Sequence, residues 1–299
     1  MNLLVTGAFA WTEKELDMLH KLGHNTVFMQ QEKSPLPCDA TWVEGIIGNG
    51  IFLSHPIEQF TSLKYIQLTS AGFDRVPMDY VKEHGIEIHN ARGVYSIPMA
   101  EFAVSGVLQL YKQSRYFYKN QKAHKWEKHR GLLELFGKNV CIVGCGSVGT
   151  ECAKRFKAFG CNVVGVDIKP YHNEEYDIIF SLESLDDVLK DADVIILTLP
   201  LTDETKHLMN DARFSALKDS AVFVNLARGA VFDSQAMIEA LPKIGGAVLD
   251  VFEEEPLDEN SPLWDMENVI VTPHNSFVGE GNFSRLYTLM LKNIKIYAK

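Results

Sequence analysis

Residues 140–167, VCIVGCGSVGTECAKRFKAFGCNVVGVD, constrain what this chain can fold into more than any other stretch. The run Val140–Val143 is short, apolar and β-branched, as a buried strand is. Gly144, Gly146 and Gly149 follow in the pattern G-x-G-x-x-G. A helical pattern then runs from Val148 to Phe159 and meets Gly160, a normal helix stop. A second strand, Asn162 to Val166, ends at Asp167. In a β-α-β unit of this kind the first glycine permits a tight turn. The second lets the backbone approach a pyrophosphate, and the third lets helix and strand pack closely. The diphosphate then sits at the positive end of the helix. Asp167 can accept hydrogen bonds from ribose hydroxyls and would repel a 2′-phosphate, so NAD(H) is expected over NADP(H). The competing reading is a turn in an α/β domain that binds nothing. Strand, helix, second strand and terminal acid, all in place, favour the dinucleotide.

The chain has 299 residues, enough for two domains with ample core. Its net charge of −10 argues against nucleic acid or an anionic membrane as the main partner, but not against an anionic small molecule held by a local arginine. The five cysteines, Cys38, Cys141, Cys145, Cys152 and Cys161, match no common zinc spacing and suggest no disulfide framework. No metal is expected. Small buried thiols are the expected reading; the alternative is a Cys145, between two motif glycines, open to oxidation or alkylation when the site is empty. The start, MNLLVTGAFAWTEKEL, has no basic lead and no long apolar run, so it is not expected to be a signal peptide. No apolar run approaches ~18 residues, the length of a membrane span. A cytoplasmic enzyme is the expectation.

Upstream, strands are predicted at Asn2–Thr6, Asn25–Met29, Glu44–Ile47, Tyr65–Thr69 and Ile86–His89. Helices are predicted at Thr12–Leu22, with Thr12 and Glu15 as a capping box, and at Pro77–Glu83. Alternating strands and helices imply a small parallel α/β unit. One long helix is predicted over Ile97–Tyr118, then an exposed arm over Asn120–Arg130. Beyond Asp167, strands are predicted at Val194–Leu199, Ala221–Leu226, Gly246–Leu249 and Val269–Thr272. Helices are predicted at Asp233–Leu241 and Gly281–Tyr297.

Asp167, Arg228, Asp250 and His274 all fall just after predicted strands. In an open parallel sheet, ligands bind outside the carboxyl ends of the strands, so these four can converge. The stretches VGCGSVG with Asp167, NLARGAVFD around Arg228, AVLDVFEEEPL from Ala247 and NVIVTPHNS past His274 resemble the D-isomer-specific 2-hydroxyacid dehydrogenase family. That family includes phosphoglycerate, hydroxypyruvate and D-lactate dehydrogenases. The first half is similar more loosely, in SAGFD from Ser70 and NARGVYSIPMAEFA from Asn90.

The resemblance implies hydride transfer between NAD(H) and a small 2-oxo or 2-hydroxy acid. It assigns Arg228 to the substrate carboxylate, His274 to the proton and Glu255, before Pro256, to the partner of His274, with Glu254 the next candidate. A guanidinium is a planar fork suited to a carboxylate. An imidazole can exchange a proton with an alkoxide near neutral pH. By the same resemblance Ser147 and Val148 lie under the pyrophosphate and Leu199 borders the adenosine. Ala227 and Arg228 approach the nicotinamide, and Asp250 lies near its carboxamide.

Asn275 and Ser276 stand where the family often has smaller residues, which would make the nicotinamide rim more polar. Phosphoglycerate enzymes of that family tend to place a basic residue after this strand; no Arg or Lys follows Gly48-Asn49-Gly50, so the resemblance disfavours a phosphorylated substrate. The amides of Asn49, Gly50, Ala71 and Gly72 could still form an anion nest for the substrate carboxylate. Ending at Lys299, the chain is expected to lack the serine-sensing domain that some phosphoglycerate enzymes append.

The expected architecture is two Rossmann-like α/β domains with a cleft between them. Residues 1–96 and 276–299 would form a flavodoxin-like substrate domain, and 97–275 the NAD-binding domain. The resemblance implies a homodimer through the NAD-binding domain, with Ile97–Arg130 at the interface. Two other readings are weighed. One is a non-catalytic, NAD(H)-sensing corepressor-like protein. The other is an NADP(H) glyoxylate or hydroxypyruvate reductase, which conflicts with Asp167, although Lys169 softens the conflict.

Overall fold

The apolar runs predicted as strands build two all-parallel sheets. The structure, a computed structural model, describes residues 1–297. It divides into two units: Met1–Tyr95 with the segment from Gly279 onward, and Ser96–Val278. Ala298 and Lys299, part of the expected substrate domain, lie outside the described residues.

Unit 1 contains β1 (Asn2–Thr6), α1 (Glu13–Lys21), β2 (Asn25–Met29), β3 (Gly45–Gly48), β4 (Tyr65–Leu68), α2 (Met78–Glu83) and β5 (Glu87–His89). Its sheet order is β2-β1-β3-β4-β5, the flavodoxin-like order. Side chains alternate between the two faces, as the strand period of two requires. Leu4, Ile46 and Ile66 join one core cluster; Leu3, Val5, Ile47 and Tyr65 join the other. The chain's last α-helix packs Leu286, Met290 and Ile294 into the second cluster. At α1, the Thr12 amide donates to Glu15 Oε2 at 3.2 Å, and the Thr12 hydroxyl donates to the same carboxylate.

Unit 2 contains α3 (Ser96–Tyr111), α4 (Ser114–Lys122), β6 (Asn139–Val143), α5 (Ser147–Ala158), β7 (Asn162–Asp167) and β8 (Ile178–Ser181). It continues with α6 (Leu185–Asp191), β9 (Val194–Leu197), α7 (Asp211–Ser215), β10 (Val222–Asn225), α8 (Ser234–Ala240), β11 (Gly246–Leu249) and β12 (Val269–Val271). The unit 1 helix α9 (Asn282–Ile294) follows. The sheet order is β12-β11-β10-β9-β6-β7-β8, with the reversal between β6 and β9. Cys141 and Val143 face one core, Val140 and Ile142 the other. Gly106 lets α3 approach the sheet, since a Cβ there would lie 2.7 Å from Val248 Cγ1.

The predicted single helix over Ile97–Tyr118 is broken. Gln113 is left-handed, with φ 53°, and the Tyr111 carbonyl accepts from the Leu133 amide. That tertiary hydrogen bond takes an acceptor the helix would have used. The expected arm begins later than predicted, because α4 extends to Lys122. Trp126 in the arm is 97% exposed. Strand β8 and helices α6 and α7, absent from the sequence reading, are short elements without a strong apolar period.

Candidate active site

Two of the three motif glycines have a steric reason within the protein. Gly144 has φ 95°, and a Cβ on it would lie 2.7 Å from the Leu199 amide nitrogen. Leu199, just after β9, therefore packs its backbone against the glycine turn. A Cβ on Gly149 would overlap the Gly144 carbonyl oxygen. Around Gly146 a Cβ would meet nothing within 4 Å. Two glycines close the turn and the middle one faces open space. This is the cradle a dinucleotide pyrophosphate needs at the start of α5, where Ser147 and Val148 lie.

Polar side chains fasten this turn. Asp167 Oδ2 accepts the Cys145 amide at 2.7 Å, and Oδ1 accepts the Lys169 amide at 3.3 Å. Each carboxylate oxygen keeps a lone pair for a ribose hydroxyl. Thr198 Oγ1 donates to the Gly144 carbonyl at 2.6 Å, and the Tyr171 hydroxyl donates to the Cys145 carbonyl. Thr198 and Tyr171 carry no sequence signal for this role. The expected burial is found at Cys141, Cys145, Cys152 and Cys161, and the alternative of a reactive Cys145 is corrected. Its side chain is 1% exposed, and burial, with the Asp167 charge adding to it, pushes the thiol up to about 12. The thiolate that would react is absent near neutral pH.

Strands β9, β10, β11 and β12 lie side by side, so their carboxyl ends share one edge. Past β10, buried Asn225 organises the turn. Its Oδ1 accepts the Ala227 amide at 3.0 Å, and its Nδ2 donates to the Arg228 carbonyl at 3.0 Å. The Arg228 guanidinium donates to the Ala227 carbonyl at 2.8 Å. Gly229 follows because a Cβ there would overlap the Phe252 carbonyl carbon. The turns after β10 and β11 thus meet backbone to backbone.

Past β11, Asp250 is fully buried. Its Oδ1 accepts from Thr272 Oγ1 at 2.6 Å and from the Asn275 amide at 2.8 Å; Oδ2 accepts the Ser276 amide at 2.9 Å. The backbone amide of His274 donates to the Asp250 carbonyl at 2.8 Å. These bonds hold His274 at φ 49°, a left-handed conformation uncommon for a residue other than glycine. Ser276 is 2% exposed, so Asn275 alone of the two reaches solvent. The expectation of a more polar rim narrows to that residue.

His274 Nδ1 lies 2.9 Å from Glu255 Oε2, while Glu255 Oε1 accepts the Phe252 amide at 3.1 Å. Glu253 faces elsewhere, 3.1 Å from His207 Nε2. The acidic run therefore divides by partner, and Glu255 is the acid on His274. Nδ1 is engaged in this pair, and Nε2 is the ring nitrogen outside it.

In unit 1 the anion nest divides. The amides of Asn49 and Gly50 each donate to Glu32 at 2.7 Å. They bind a carboxylate, but it is the chain's own, and the four-amide nest is corrected to that extent. The amides of Ala71 and Gly72 make no hydrogen bond among the described residues. Their carbonyls do, to Asn90 Nδ2 at 2.6 Å and to Ser70 Oγ at 3.2 Å. Among the described residues no cluster of His, Cys, Asp and Glu could hold a metal ion, and no helix is long and apolar enough to cross a membrane.

The sequence profile described as "D-isomer specific 2-hydroxyacid dehydrogenase, NAD binding domain" matches residues 104–276. The chain belongs to the D-isomer specific 2-hydroxyacid dehydrogenase family. Its matched residues lie within unit 2 and include the glycine turn, Asp167, Arg228, Asp250, Glu255 and His274, so unit 2 carries the family's NAD-binding domain.

The chain is similar to D-3-phosphoglycerate dehydrogenase of Methanocaldococcus jannaschii, 36% identical over 80% of this chain and 46% of that protein. It is also similar to glyoxylate reductase of Thermofilum pendens, 35% identical over 71% of this chain and 65% of that one. The aligned part thus spans about half to two-thirds of the length of these relatives. Among solved structures, D-lactate dehydrogenase from Aquifex aeolicus, complexed with NAD and lactic acid, superposes with a TM-score of 0.79. It is 25% identical, covering 99% of this chain and 95% of that one.

Proposed function

We propose that this member of the D-2-hydroxyacid dehydrogenase family is an NAD(H)-dependent oxidoreductase that interconverts a small 2-oxo acid and its D-2-hydroxy acid. The observation that carries the reading is the His274–Glu255 pair at 2.9 Å, on the same sheet edge as the Arg228 turn and the glycine turn. The relatives named above, a phosphoglycerate dehydrogenase, a glyoxylate reductase and a D-lactate dehydrogenase, support the substrate class.

In this reading Gly144, Gly146, Ser147, Val148 and Gly149 seat the pyrophosphate, and Asp167 takes the ribose hydroxyls. Leu199 borders the adenosine, and Ala227, Arg228 and Asp250 line the nicotinamide end. NADH, when bound, supplies the hydride. Arg228 holds the substrate carboxylate as a bidentate fork and draws charge toward the carbonyl oxygen. Glu255, bonded to Nδ1, fixes the imidazole so that Nε2–H points at the carbonyl oxygen and delivers its proton. In the oxidative direction the same nitrogen takes the proton back.

The chain is further proposed to be cytoplasmic and to form a homodimer through unit 2. Support for the dimer is the α3–α4 segment and its arm, where Phe117, Tyr118 and Trp126 are exposed. Light scattering on the purified chain checks it, and a monomer at micromolar concentration refutes it. The activity is tested by following NADH consumption with a panel of 2-oxo acids and resolving the product enantiomers. Reduction to the D-isomer is expected. An L-product, or NADH binding with no consumption, as a sensing protein would give, overturns the reading.

A further inference from the structure

Within the glycine turn of unit 2, Cys145 is gripped on three sides. Its amide donates to Asp167 Oδ2 at 2.7 Å, and its carbonyl accepts from the Tyr171 hydroxyl. Its side chain is buried in space that Gly165 leaves, where a Cβ on Gly165 would lie 2.5 Å from Sγ. Both polar grips come from the end of β7 and the loop after it. Asn173 ties that loop to α5: its Nδ2 donates to Thr150 Oγ1 at 3.3 Å and to the Tyr171 hydroxyl at 3.4 Å. The Cys145 carbonyl and the Gly146 N–H belong to one trans peptide unit. Such a unit is planar, with its C=O and N–H directed oppositely, so a donor that fixes the carbonyl also aims the amide. The Gly146 amide makes no hydrogen bond among the described residues, and a Cβ on Gly146 would meet nothing within 4 Å. Gly146 is the N-cap of α5, the helix end that favours an anion.

We propose that Tyr171 is a positioning residue for the cofactor: through the Cys145 carbonyl it aims the Gly146 N–H at the diphosphate. The inference rests on the dinucleotide reading of unit 2 and not on the identity of the substrate. Asn173, Tyr171 and the Cys145–Gly146 peptide form a chain in which each member donates to the next. The last donor, the Gly146 N–H, belongs to the glycine that lets the backbone approach a pyrophosphate. Hydrogen bonds in such a chain polarise one another, so the Tyr171 bond both holds this amide and strengthens it as a donor. A donor already in place costs little ordering when the anion arrives. A cofactor fragment without phosphate gains nothing from this amide, which separates the role from that of a wall beside the adenosine.

The test compares wild type with Tyr171→Phe, which keeps the half-exposed ring and removes only the hydroxyl. NADH and ADP-ribose are titrated by calorimetry, and adenosine by NMR, which reads millimolar affinities. The variant should bind NADH and ADP-ribose about fivefold more weakly, the scale of one net hydrogen bond, and adenosine within about twofold of the wild type. In the cofactor-free protein the Gly146 amide nitrogen signal should move upfield as its peptide loses polarisation. Unchanged ADP-ribose affinity overturns the inference. So does an equal loss for adenosine and ADP-ribose, which would make Tyr171 a wall of the adenosine site, and so does an unmoved Gly146 signal. If the wild type binds neither NADH nor ADP-ribose, the dinucleotide reading falls and this inference with it; binding with the wrong pattern overturns this inference alone. A protein that shows the expected pattern yet reduces no 2-oxo acid refutes the function proposed above and supports this inference.

Discussion

Replacing Asp250 by Asn tests whether His274 is held by its neighbours rather than by its own loop. Asp250 is fully buried, and its carboxylate accepts three hydrogen bonds, from the Thr272 hydroxyl and the Asn275 and Ser276 amides. Asn keeps one carbonyl oxygen, which can serve Thr272 and Asn275. Its NH2 group then faces the Ser276 N–H, donor against donor. One bond to a charged acceptor is lost, worth ~1.5–3 kcal/mol, and a buried donor is left unpaired. The left-handed backbone of His274, which costs about 1 kcal/mol or more, loses part of its support. The sum is a destabilisation of ~2–4 kcal/mol in the cofactor-free protein, with kcat falling at least about tenfold as the imidazole leaves its position. Urea unfolding without cofactor, beside steady-state kinetics, measures both. A cofactor contact alone would not change the stability of the free protein. If Asp250→Asn unfolds within ~0.5 kcal/mol of the wild type and keeps its kcat, the positioning argument is wrong.

Other expectations follow from the same geometry. Arg228→Lys keeps the charge and loses the fork, so kcat/KM for the 2-oxo acid should fall ~100-fold while NADH affinity by fluorescence titration stays nearly intact; near wild-type efficiency would make Arg228 a structural residue. Wild-type enzyme should prefer NADH to NADPH in kcat/KM, and Asp167→Ala should narrow the gap, with NADPH preference in the wild type refuting the role. Gly146→Ala should weaken NADH binding with little effect on thermal stability, because a Cβ there meets no protein atom. Gly149→Ala should destabilise the fold, because its Cβ overlaps the Gly144 carbonyl oxygen; a reversed pattern would refute this division of labour. Burial pushes the thiols of Cys141, Cys145 and Cys152 up to about 12 and that of Cys161 to about 11, from an ordinary value of 9.0. A raised thiol pKa means the folded state holds the proton longer, so this contribution is complete below pH ~9 and is lost as pH rises toward 12. Urea midpoints at pH 8 and pH 10.5 check the sign, and a midpoint that rises with pH contradicts it.

What the sequence alone determined was local. Fixed spacings and unusual backbone demands are written in residue type. Gly144 and Gly149 leave no room for a Cβ, Gly229 lies against the Phe252 backbone, and Asp167 ends a strand. Thr12 and Glu15 cap their helix from three residues apart. The placement of Arg228, Asp250 and His274 after successive strands also followed from chain order, because parallel strands put all their carboxyl ends on one edge. Partnership across the chain did not follow. The resemblance had named Glu255 as the partner of His274, and the pair is there; that Glu253 turns away to His207 only the packed structure decided, since nearby residues in a turn point different ways. The helix broke at Gln113 because the Leu133 amide competes for the Tyr111 carbonyl, a bond between residues far apart in sequence. The burial expected of the thiols extends to Cys145 between the two motif glycines, and packing is what closes the alternative of a reactive thiol there. Glu32 shows the limit most plainly. Its three donors come from Thr6, Asn49 and Gly50, and strand pairing, which no local pattern encodes, is what gathers them around one carboxylate.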